Sequence, residues 1–208
     1  MLNQYSLHDI GIIVASIFIG MAFHEAMHAF VAHALGDQTA KLQGRLSLNP
    51  LRHVDLITTV VLPIGLLLVG LPPIFVARPV PINSNFLRYG DYGSALVALA
   101  GPFTNLALAA LASLLIRFDG HPTGMFVYTL SIFMQVNIAF FVFNMIPLPP
   151  LDGSRLVYAF APEPVRDVMD RLEGLGFFVT IMVLLLLSRF IAPVLVNIND
   201  AIFTFLLR

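Results

Sequence analysis

The sequence predicts an all-α, multi-pass membrane protein: a polytopic helical bundle with one re-entrant segment and a small membrane-associated β-strand element. Three observations point there. Hydrophobic residues make up 58% of the 208 residues and charged residues only 11%. A soluble domain carries about 25% charged residues, so there is too little polar surface here to cover a soluble globule. Apolar blocks of membrane-spanning length recur along the chain. One of them is interrupted by proline and glycine in a way that suits a turn inside the bilayer better than a straight crossing.

The first block covers residues 10–35. Residues 1–9 hold no Lys or Arg, so the basic start of a signal peptide is missing and the block reads as a retained transmembrane helix. The second, 56–77, contains Pro63, Gly65, Gly70, Pro72 and Pro73. The third, 93–116, carries A-L-A-G-P-F-T-N, and the fourth, 125–146, leads into N-M-I-P-L-P-P-L-D-G. A fifth block covers 175–187. The sixth, 191–207, is weakened by Pro193, Asn197, Asn199 and Asp200, and either spans or lies in the interface. Between the first two blocks, residues 41–49 put Leu42, Leu46 and Leu48 on one parity and polar residues on the other, the period of a strand. Residues 74–82 also read as extended, and Pro79 and Pro81 confine them to an edge. The whole of 1–208 reads as a single membrane-embedded domain.

Composition excludes some chemistry. The absence of cysteine rules out disulfides and thiolate metal sites. The net charge of −1, without a basic cluster interleaved with aromatics, sets nucleic acid aside.

What remains is concentrated in the first block. His24-Glu25-Ala26-Met27-His28 is an H-E-x-x-H pentad. Residues four apart share one face of a helix, so both imidazoles can reach one ion, and Glu25 stands beside the first of them to take a proton from a bound water. A strongly polar group in mid-bilayer costs roughly 2.5–3.5 kcal/mol on insertion scales. Three of them within five positions need a compensating partner, and a metal supplies one. A catalytic zinc takes three protein ligands and leaves one position open. Asp152 is the candidate third ligand, since Pro147, Pro149 and Pro150 break the preceding helix and irregular backbone at membrane depth has to be buried in protein or line a cavity. Gly153 would let the backbone pass close to whatever Asp152 binds. The competing reading of the same residues is an interfacial Asp-Gly turn. Asn105 reads first as a hydrogen bond between helices and only second as a residue shaping the site. His33 reads as structural or exposed, and for His53 a gating role or a place as outer partner of a ligand is the less favoured reading. A membrane metal-ion transporter or a metal-binding scaffold is the alternative, though a transporter would string its ligands along a path.

H-E-A-M-H together with N-x-x-P-x-P-x-L-D-G resembles the site-2 protease family of intramembrane metalloproteases. The likeness extends through A-L-G-D-Q-T-A-K-L-Q-G-R-L-S-L-N-P-L-R-H-V-D, A-R-P-V-P-I-N and A-L-A-G-P-F-T-N, covering about residues 20–160. The resemblance implies one zinc ion held by His24, His28 and Asp152, with Glu25 as general base. It also implies that Asn144 holds the substrate carbonyl or the oxyanion, and that the substrate is a transmembrane protein. Members often carry PDZ or CBS domains, and neither is visible here. A transmembrane helix hides its carbonyls in hydrogen bonds and must unwind before it is cut. The expected 41–49 strand would offer an edge for the unwound segment.

Topology follows from charge. If residues 56–77 cross once, Lys and Arg divide five inside against six outside; if they dip in and return, the division is nine against two, as the positive-inside rule prefers. The expected arrangement is a prokaryotic plasma-membrane protein, N-terminus outside, site toward the cytoplasm.

Overall fold

A computed structural model describes residues 6–52, 79–119 and 123–208. Seven helices account for most of these: α1 (Leu7–Ala34), α2 (Thr39–Leu42), α3 (Gly90–Asp119), α4 (Met125–Asn144), α5 (Asp152–Phe160), α6 (Glu163–Gly174) and α7 (Phe177–Leu207). Four are long and apolar enough to cross a membrane, namely α1, α3, α4 and α7. The protein is therefore an integral membrane protein with an all-helical body.

Local chemistry sets the helix ends. Ser6 and Asp9 form a capping box at the start of α1, the Ser6 hydroxyl accepting from the Asp9 N–H (3.1 Å) and Asp9 Oδ2 from the Ser6 N–H (2.9 Å). At its far end, Gly36 takes φ +112. The Gly36 N–H then donates to His33 (3.1 Å) and the Asp37 N–H to Ala32 (2.9 Å), which is the Schellman closure that glycine permits.

Packing is by small residues. Ala22, Ala26, Ala29 and Ala32 of α1 are essentially fully buried, letting backbones approach closely, as membrane helix pairs require. A second cluster joins Ala109 and Ala112 of α3 to Met134, Ile138 and Val142 of α4, with Leu195, Ile202, Phe203 and Leu206 of α7 against it.

Contacts sort the loops to two ends. At one, the Tyr128 hydroxyl donates to Asp9 (2.8 Å), and Ser113 and Arg117 both donate to the Leu206 carbonyl (2.5 Å each). At the other, the Arg88 N–H donates to Leu35 (2.8 Å), the Asn83 N–H to Asp37 (2.7 Å), and Arg166 pairs with Asp91 (2.8 Å). The segments 35–52, 79–91 and 145–176 thus share one end.

Two expectations are corrected. Among the described residues there is no strand: 41–49 begin inside α2 and continue as irregular chain. Gly44 turns the chain at φ +66. The alternating leucines share no buried face, since Leu42 is 83% and Leu48 49% exposed while Arg45 is buried. Alternation over so few residues could not outweigh the turn at Gly44. The fifth and sixth blocks are one helix, α7, with Pro193 inside it. Its 31 residues cover about 46 Å at 1.5 Å each, a single crossing. Arg208 therefore ends up near Arg117, whose guanidinium donates to the Leu206 carbonyl. The expected re-entrant segment, 56–77, lies outside the described residues, as does His53.

Candidate metal centre

His24 and His28 lie on the face of α1 turned toward α3 and are 7% and 6% exposed. Asp152 is the first residue of α5, brought to them by the proline-rich connection that ends α4. His24 Nε2 is 3.1 Å and His28 Nε2 3.4 Å from Asp152 Oδ2, and the two Nε2 atoms are 3.0 Å apart.

The outer nitrogens fix the protons. The His28 Nδ1–H donates to the Val97 carbonyl (2.7 Å), which can only accept. The His24 Nδ1–H donates to Asn105 Oδ1 (2.6 Å). In the neutral rings both Nε2 atoms then present lone pairs to each other and to a carboxylate oxygen, three donors of electron density facing one point. A cation is what such a set fits. Ligand atoms about 2.0–2.1 Å from a tetrahedral zinc stand roughly 3.3 Å apart, close to the three separations found here.

Glycine makes the room. A Cβ on Gly101 of α3 would lie 2.6 Å from His24 Nε2 and nearer still to His28 Nε2. Only a residue without a side chain lets α3 run against this pair. Gly153 packs on the backbone of Met145 and Ile146, where a Cβ would collide.

A cavity of about 710 Å³ opens on the triad. Glu25 and Asn144 line it too, with Leu184, Leu185, Ile191 and Leu195 of α7 forming an apolar wall. The Val80 N–H donates to Glu25 Oε2 (3.0 Å). In Arg78-Pro79-Val80-Pro81 the flanking prolines carry no N–H, so Val80 is the sole backbone donor of 79–81. Asn144 donates to the Phe140 carbonyl of its own helix (3.0 Å).

The structure brings His24, Glu25, His28, Asp152 and Asn144, all singled out in the sequence, around one cavity. Val80 and Gly101 were not expected from the sequence, which favoured for Asn105 a hydrogen bond between helices over a role in the site. His33 is half-buried on the far side of α1, away from the triad.

Membrane-spanning helices around a buried His-His-carboxylate cluster with a neighbouring glutamate define a membrane-embedded metallopeptidase class. Comparison with known proteins agrees. The model of peptidase family M50 matches residues 119–187. YwhC of Bacillus subtilis is 37% identical over 184 residues, 84% of this chain and 80% of that protein. Rip2 of Mycobacterium tuberculosis is 30% identical over 192 residues, covering 88% and 68%. MJ0611 of Methanocaldococcus jannaschii is 30% identical over 142 residues, covering 66% and 64%. All three bear the name putative zinc metalloprotease. No solved structure matches the chain. The chain belongs to peptidase family M50.

Proposed function

We propose that His24, His28 and Asp152 hold the zinc of this intramembrane metalloprotease, that Glu25 is its general base, and that Asn144 binds the oxyanion. The observation that carries the reading is the triangle of two imidazole nitrogens and one carboxylate oxygen, opening on a cavity that Glu25 and Asn144 also line.

Bound zinc supplies Lewis-acid polarisation and a water of lowered pKa. Glu25 accepts the proton of the attacking water and returns it to the leaving amine. The Val80 N–H holds that carboxylate toward the cavity. The Asn144 amide keeps a second N–H beyond the one bonded to Phe140, available to the oxygen that gains charge as the carbonyl is attacked. The apolar α7 wall suits a locally unwound segment of a transmembrane protein, the proposed substrate.

The proposed orientation puts the N-terminus outside and the site toward the cytoplasm of a prokaryotic plasma membrane. It is supported by the charges at the two ends. Lys41, Arg45, Arg52, Arg88, Arg155, Arg166 and Arg171 lie at the Asp152 end, against Arg117 and Arg208 at the other. A transporter is not favoured, because the ligands are gathered at one point.

The test is cleavage of a transmembrane peptide by purified protein, with zinc content measured alongside. Glu25→Gln should lose cleavage by about 10³-fold or more while keeping zinc. Asp152→Ala should lose both. A chelator should stop the wild type. Normal cleavage by Glu25→Gln would sink the mechanism.

A further inference from the structure

Asn105 sits one turn beyond Gly101 on α3 and is fully buried, as is Asn137 of α4. Their amides form a chain across three helices. Asn137 Nδ2 donates to the Phe133 carbonyl (2.8 Å). That leaves Asn137 Oδ1 facing Asn105, whose Nδ2 donates to it (2.9 Å) and to the Gly20 carbonyl of α1 (3.1 Å). Asn105 Oδ1 then faces His24 Nδ1 at 2.6 Å.

The direction of this chain is not free. Phe133 and Gly20 contribute backbone carbonyls, which only accept. The first fixes which way the Asn137 amide points. The second independently fixes Asn105, so the oxygen turned to His24 has to be an acceptor. His24 must therefore carry a proton on Nδ1, and in the neutral ring Nε2 is then the lone pair on the Asp152 side.

We infer that Asn105 is a positioning residue of the metal centre, holding His24 in the tautomer and ring orientation that binds the ion, with Asn137 orienting Asn105 in turn. This rests on the ligand reading proposed above. The ordinary reading of such an asparagine is a hydrogen bond that joins helices. The two roles use different atoms. Joining α1 and α4 uses the Nδ2 hydrogens, whereas positioning His24 uses Oδ1.

That difference gives the experiment. Asn105→Asp keeps an oxygen for the His24 Nδ1–H and loses both N–H donors; Asn105→Leu loses everything. Wild type and both variants are purified in detergent. Zinc affinity is read by competition with a chromogenic chelator, and Tm is read after metal removal. Positioning separates the variants: Asn105→Leu binds zinc about 10–100-fold more weakly, and Asn105→Asp stays within roughly threefold of wild type, because a carboxylate is a good outer partner for a metal-bound histidine. Asn137→Leu should fall between. Equal zinc affinity in Asn105→Leu and Asn105→Asp, with or without loss of Tm, overturns the assignment. If either variant does not fold, the nitrogen resonances of ¹⁵N-histidine wild type decide: a protonated Nδ1 on His24 upholds the assignment and a bare one overturns it. Wild type that binds no zinc removes the ligand reading itself. Zinc-binding wild type with indifferent variants removes only the role of Asn105.

Discussion

The Val80 N–H donates to Glu25 Oε2 across 3.0 Å, joining a connection between helices to the glutamate of the pentad. An N–H donor fixes the orientation of the carboxylate, and orientation governs proton transfer. Val80→Pro removes this donor and preserves an already proline-bounded segment. We expect cleavage to fall about tenfold, in kcat more than KM, with zinc content unchanged. Steady-state kinetics with metal analysis checks this; unaltered kcat would make the contact incidental.

Gly101 supplies a sharper test of geometry. Gly101→Ala puts a methyl group between the two imidazoles. Zinc binding should be lost, or weakened by about 100-fold or more, since the displaced rings must move by more than the tolerance of a metal bond. Gly11→Ala, also in a spanning helix, meets nothing within 4 Å and should bind zinc as wild type does. Zinc titration of the pair separates local steric conflict from a general effect of alanine in a helix.

Asp37 predicts a pH dependence. It is buried, and burial alone would raise its pKa. The Thr39 hydroxyl (2.5 Å), the Asn83 N–H (2.7 Å) and the Thr39 N–H (2.8 Å) outweigh that and hold the carboxyl below its usual value. A folded pKa below the unfolded one contributes stability above about pH 4, lost as pH falls through the folded value. Thermal melts should therefore show wild type weakening from about pH 4 downward. Asp37→Asn should be less stable by about 1–2 kcal/mol at neutral pH and flatter across the acid range. Parallel curves for the two proteins would count against the clamp.

Because α7 crosses once, the C-terminus belongs opposite the site. In the proposed orientation, a single cysteine at Arg208 should react with an impermeant reagent applied outside intact cells, and one at Asn85 should react only after lysis. The chain has no cysteine of its own to interfere. The reverse pattern would invert the proposed orientation.

The parts of the site that could be read from sequence are those whose side chains do the chemistry. His24, Glu25, His28 and Asp152 are rare residues in apolar surroundings, and helix periodicity alone puts the first and third on one face. Residues that act through backbone or through absence of a side chain left no such mark. Val80 works through its N–H, and only the flanking prolines hint that this donor is special. Gly101 works by having no Cβ, which a sequence reader cannot tell from ordinary small-residue packing. The 41–49 strand failed because period-two alternation across nine residues is weak beside one glycine turn. Blocks 175–187 and 191–207 form one helix because Ser188 and Arg189, which separate them in sequence, continue it, and a long helix with lipid and neighbours around it can carry Pro193.

The two histidines are unequally exposed to mutation. His28 is steadied by the peptide carbonyl of Val97, which every residue type at that position would still provide. His24 is steadied by a side chain that a single codon change can replace. A lineage could therefore retune the affinity of the site through residue 105 while residue 97 stays silent on that score. Natural variation in metal retention among such chains should accordingly track the third helix at 105, and engineering that seeks a weaker or tighter site has one handle there rather than two.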